Sequence, residues 1–121
     1  MVPNTTTVYV TLLDSWGDGW NGNTIAFRQE GAITGTFGQN FTTGHEFGPV
    51  SVTIRHGIQA EIIVNTLGSY RTEVGFIIRD KSGVQLFSRM PGQGFLANTI
   101  FGTICATCLN YALVRVAESN P

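Results

Sequence analysis

The sequence predicts an all-β protein: a two-sheet antiparallel β-sandwich of about seven or eight strands, jelly-roll or Ig-like in kind. Three observations carry this expectation. Apolar residues recur at every second position through much of the chain, the alternation of a half-buried strand. Clusters of Gly, Asn, Asp and Ser punctuate those runs at short intervals. No segment sustains a 3.6-residue period with caps, so helices are expected to be absent or a single turn. A chain of 121 residues holds one domain's worth of core, and the expected unit spans 1–121.

Taken in order, Val8, Val10 and Leu12 share one face of a first strand, and Ile25 and Phe27 begin a second just after a Gly/Asn cluster. The stretch from Gly31 to Gly48, rich in Gly, Thr and Asn with phenylalanines at 37, 41 and 47, reads as a strand pair or a long loop. Val50, Val52 and Ile54 give the next strand, and Ile58 to Val64 another across the turn at His56-Gly57. Val74, Phe76 and Ile78 follow, with Val84 to Phe87 as hairpin partner beyond the Asp80-Lys-Ser-Gly83 turn. Met90-Pro-Gly-Gln-Gly-Phe95 is irregular, and two last strands are expected at Thr99 to Ile104 and Tyr111 to Val116.

Composition narrows the function classes. Net charge is −1 with no basic run, so the electrostatic footprint that phosphate backbones demand is missing and nucleic acid is not an expected partner. No stretch approaches the roughly 18 apolar residues that span a bilayer, so membrane insertion is not expected either. The start, Met1-Val-Pro-Asn-Thr-Thr-Thr7, lacks the charged and apolar parts of a signal peptide; either a signal has been removed or the protein is intracellular. Lysine occurs once, at Lys81, and charged residues make up 12% of the chain against a typical value near 25%, a balance more common in extracellular β-proteins. The sequons at Asn4 and Asn40 agree with an extracellular or cell-surface location.

The segment that carries chemistry is Asp14-Ser-Trp-Gly-Asp-Gly-Trp-Asn-Gly-Asn23. Hard cations such as Ca²⁺ take six to eight oxygens from carboxylates, amide carbonyls and backbone carbonyls. Asp14, Asp18, Asn21 and Asn23 offer the side-chain part, and the interleaved glycines let the backbone fold tightly. The spacing is neither that of an EF-hand nor that of the calcium-binding β-helix repeat. A polar turn is the other reading, with Asp14 and Asn21 bonded to nearby amides and Trp16 and Trp20 packed over the sheet edge. Exposed tryptophans would instead favour carbohydrate or protein contact.

Leu12-Leu-Asp-Ser-Trp-Gly-Asp-Gly-Trp-Asn-Gly-Asn23 resembles the Asp-Ser-Tyr-Gly-Asp-Gly-Trp-Asn-Gly motif of β-sandwich modules in large secreted or cell-surface proteins of algae, other protists and some bacteria, mastigoneme-type filament proteins among them. Gly68-Ser-Tyr-Arg-Thr-Glu-Val-Gly-Phe-Ile-Ile-Arg-Asp80 resembles the second element of that family, a Gly-x-Tyr/Trp-x-x-Glu-Val-Ser-Trp strand followed by Asp-x-x-Gly. The usual Ser-Trp is here Gly75-Phe76. The resemblance implies a noncatalytic extracellular module, often repeated, whose acidic loop holds Ca²⁺, with Glu73 reaching the loop as a further ligand. From its own position, Glu73 is either a solvated edge residue or a metal- or hydrogen-bonding group.

Cys105 and Cys108 form a lone Cys-x-x-Cys, open to a short-loop disulfide, a bridge to another subunit, or the reduced state; an oxidising compartment favours the disulfide. His45 and His56 read as turn residues, and nucleophile-elbow, zinc-helix, phosphate-loop and dinucleotide motifs are all missing, so no catalysis is expected. Two functions remain. One is a Ca²⁺-binding structural or assembly module that self-associates or joins neighbouring domains through weakly charged edge strands. The other is a lectin-like module in which bound Ca²⁺ and Trp16 or Trp20 hold a glycan.

Overall fold

The computed structural model describes residues 5–95 and 99–105. Eight strands form in this order: β1 (Thr5–Asp14), β2 (Thr24–Gln29), β3 (Ala32–Phe37), β4 (Glu46–Arg55), β5 (Ala60–Thr66), β6 (Val74–Asp80), β7 (Gln85–Arg89) and β8 (Ile100–Ile104). They make two four-stranded sheets, β4-β1-β6-β7 and β3-β2-β5-β8, antiparallel throughout. The fold is the expected antiparallel β-sandwich. Among the described residues no helix is long and apolar enough to cross a membrane. The expected strand at Tyr111 to Val116 lies outside the described residues, as do Asn4 and Cys108.

Alternation does what the sequence promised. Val8, Val10 and Leu12 of β1 and Val74, Phe76 and Ile78 of β6 point inward, each 2% exposed or less. They face Ile25 and Phe27 of β2, with Ala60 and Ile62 of β5 and Ile104 of β8, in one contiguous core. At about 25 cal/mol per Å² of buried apolar surface, these side chains supply the main force holding the sheets together. Aromatic rings from the loops close one part of the core: Trp20 stands edge-on to Phe95 at 5.4 Å and to Phe76 at 6.5 Å, and Phe76 meets Phe101 at 5.3 Å.

The ambiguous segment after Gly31 resolves into strand β3 followed by a loop. Gln29 pairs with Ala32, so Glu30 and Gly31 alone make the β2–β3 turn, and both have positive φ, 50° and 81°. A type I′ turn needs that backbone at both central positions. The β6–β7 turn is the expected one, with the Asp80 carboxylate accepting the amides of Ser82 and Val84. In β4 the register slips where Gly48 and Pro49 lie opposite Thr11, a bulge on an edge strand, where a proline can be tolerated.

Candidate metal centre

The site begins with parity. Asp14 continues the inward series Val8, Val10, Leu12 at the end of β1, so its side chain is carried into the end of the sandwich, and the residue is 2% exposed. It is not left bare: Asp18 N–H donates to Oδ2 at 2.7 Å and Trp16 N–H to Oδ1 at 3.3 Å. These bonds curl the chain back over Asp14, and Asp18 arrives beside it. Gly19 lets the curl pass close to the 38–42 segment, because a Cβ there would lie 2.4 Å from the Phe41 carbonyl oxygen.

Glu73 comes from the other side. Asp14 and Val74 are register partners across β1 and β6, and the Glu73 carbonyl accepts Ser15 N–H at 2.9 Å, so the turn before β6 is fastened to the acidic loop. One carboxylate oxygen from each of Asp14, Asp18 and Glu73 lies within 4.8 Å of the other two. Oxygens sharing one Ca²⁺ at about 2.4 Å can be at most about 4.8 Å apart, so the three fit a single coordination shell. Burial pushes the Glu73 carboxyl above the ordinary range, and the charges of Asp18 and Asp14 push it further. Its Oε1 is buried and has no hydrogen-bond partner. A buried acceptor left without a donor is costly, and a cation would satisfy it.

The other expected ligands are placed differently. Asn23 is fully buried, and its amide is committed to backbone: Nδ2 donates to the carbonyls of Trp20 and Ser69, both at 2.8 Å, and Oδ1 accepts Gly68 N–H at 2.8 Å. It holds the acidic loop against the β5–β6 connection rather than holding an ion. Gly68 is part of that contact, since a Cβ would lie 2.0 Å from the Asn21 carbonyl oxygen. Asn21 turns its Nδ2, not its oxygen, toward Asp18 at 3.2 Å, and its amide would have to turn over to serve as a ligand.

The two tryptophans separate cleanly. Trp16 is 74% exposed, in keeping with a contact residue. Trp20 is 0% exposed and donates from Nε1 to the Leu13 carbonyl at 2.9 Å. As a ligand or partner contact Trp20 is therefore corrected: it is a core residue, because the glycine turns before it send the indole between the sheets. Asn40 is exposed, whereas Cys105 directly follows β8 and its expected disulfide partner lies outside the described residues. His45, read only as a turn residue, also braces the site: its backbone carbonyl accepts Asp14 N–H, its Nδ1 lies 3.0 Å from the Asp14 carbonyl, and its ring rests against Gly17. Comparisons of the chain with protein-family models, with curated proteins and with solved structures found no match.

Proposed function

We propose that this domain is a noncatalytic, extracellular Ca²⁺-binding module with a structural or assembly role, and that Asp14, Asp18 and Glu73 hold the ion. The observation that carries the reading is the buried, unpartnered Oε1 of Glu73 within a group of three carboxylates from two separate chain segments. Neutralising that group joins the acidic loop to the start of β6, which is the service a structural ion provides. The resemblance to modules of cell-surface and filament proteins supports the same reading.

The test is thermal unfolding in excess EDTA and then in about 10 mM Ca²⁺ or Mg²⁺. At 10 to 100 times Kd, an ion bound only to the native state adds about 1.4–2.7 kcal/mol. For a domain of this size that moves Tm upward by several degrees. A Ca²⁺-selective rise is expected; a Tm indifferent to both ions returns the loop to a polar turn.

A second reading, Ca²⁺-dependent glycan binding, is favoured by Trp16 and by a pocket of about 180 Å³ beside Asp18, lined also by Asn21, Gln39 and Thr42. An exposed indole on the same loop as Asp18 and Asn21 suits the face of a sugar ring. If this reading holds, Trp16→Ala abolishes Ca²⁺-dependent retention on a glycan array and leaves Tm unchanged.

A further inference from the structure

The outer face of the β4-β1-β6-β7 sheet holds a groove of about 520 Å³, within the size range of ligand pockets. Tyr9 and Arg79 are register partners across β1 and β6, as are Thr11 and Ile77, so these four side chains form one compact patch facing away from the core. Glu46 stands at one side and Lys81 at the other. Among the described residues the side chain of Arg79, half-buried, makes no hydrogen bond or ion pair: the two ion pairs are Arg28–Glu61 and Arg55–Glu30, and the guanidinium stacked on a ring is that of Arg89. Asp80 also lines the groove, with its Oδ1 accepting the amides of Ser82 and Val84 in its own turn. The charged groups at the groove are thus two cations, Arg79 and Lys81, and two carboxylates, Glu46 and Asp80, and of these Arg79 is half-buried with no side-chain partner among the described residues.

We propose that this groove is a second ligand site, separate from the carboxylate centre, and that it takes a saccharide bearing carboxylates, a uronide. The free guanidinium offers a planar fork matched to a carboxylate, with Lys81 as a second positive charge. Tyr9 and Ile77 offer a flat apolar surface to the C–H face of a sugar ring, and Thr11 and Glu46 offer partners to its hydroxyls. An acidic peptide fits less well. Peptides gain affinity by adding a strand to a sheet edge, and β1 and β6 lie inside the sheet with their main-chain groups already paired.

Titration calorimetry of the whole chain in EDTA, with an oligogalacturonide and with a neutral hexasaccharide, tests this without recourse to the cation site. The uronide is expected to bind, at least tenfold more tightly than the neutral sugar and more weakly as salt rises. Arg79→Gln is expected to weaken it at least tenfold at unchanged Tm, with Arg79→Lys, which keeps the charge and loses the fork, falling between. Arg79 has no partner to lose, so both variants should fold. No binding at millimolar uronide, equal binding of the neutral sugar, or an unaltered affinity in Arg79→Gln would each overturn the proposal. So would a hexaglutamate peptide that binds as tightly as the uronide, which would make the groove a peptide site.

Discussion

At the scale of single residues, the carboxylate centre gives the sharpest expectations, because each of its members does a different thing. Asp18→Ala should remove the Ca²⁺-dependent rise in Tm. Asn23→Ala should cost about 2–3 kcal/mol in urea unfolding whether or not Ca²⁺ is present, since it strands buried backbone groups rather than ion ligands. Glu73 adds a pH signature. Its carboxyl titrates higher in the folded state than in the unfolded chain, where the value is near 4.3. Between those two values the folded state holds more protons, so without metal its contribution to stability is lost as pH rises. In EDTA, Glu73→Gln should therefore gain on the wild type as pH climbs above about 4.3, whereas in Ca²⁺ at pH 7 it should fall behind. A difference flat in pH would mean that Glu73 is solvated. Asp14 was legible in the sequence as an oxygen donor of the glycine-rich acidic loop, and the parity of Val8, Val10 and Leu12 accounts for its burial. Glu73 stood open, from its own position, between a solvated edge residue and a metal- or hydrogen-bonding group, and only the resemblance joined it to the loop, since its approach depends on strand pairing across some sixty residues. Trp20 was misread because a glycine-rich loop has no period from which to infer the direction of a side chain.

At the scale of elements, strands with buried partners on both sides announced themselves, and the edge strand β3 did not. Its burial is slight along most of its length, and its turn is Glu30-Gly31 where Asn-Gly or Asp-Gly would have marked a hairpin. Strand β6 explains the departure from the resembling motif. A Cβ at position 75 would lie 2.5 Å from the Arg89 carbonyl oxygen and 2.6 Å from Pro91, so the chain leaving β7 crosses where a serine would stand. Phe76 next to it meets Trp20, Phe87, Phe95 and Phe101, a cluster already crowded with rings. Gly75→Ser, though it restores the motif, should destabilise by about 1–3 kcal/mol through overpacking, read as a lower urea midpoint with an unchanged m-value. A neutral result would show that residues 89–91 move aside freely.

At the scale of the whole molecule, the two sheets guard their edges unequally. In the β4-β1-β6-β7 sheet the edges carry Glu46, Pro49 and Arg55 on β4 and Arg89 on β7. In the other sheet, among the described residues, the edges β3 and β8 carry no charged residue, and Ile33 and Ile100 are about half exposed. Charges and prolines on edge strands are the usual protection against pairing with another chain. If the module assembles, its contact should therefore run through the β3-β2-β5-β8 sheet. Strand β3 is the edge to test, since the residues after Cys105 lie outside the described chain. Light scattering should show the mass of the wild type rising with concentration, more so with Ca²⁺ ordering the loop. Ile33→Lys should hold it at the monomer while changing stability by no more than about 0.5 kcal/mol, as expected of an exposed position. A wild type that stays monomeric near millimolar concentration, with and without Ca²⁺, would remove assembly through this edge and shift the function toward glycan binding, where Trp16 and Arg79 make separate and separately measurable contributions.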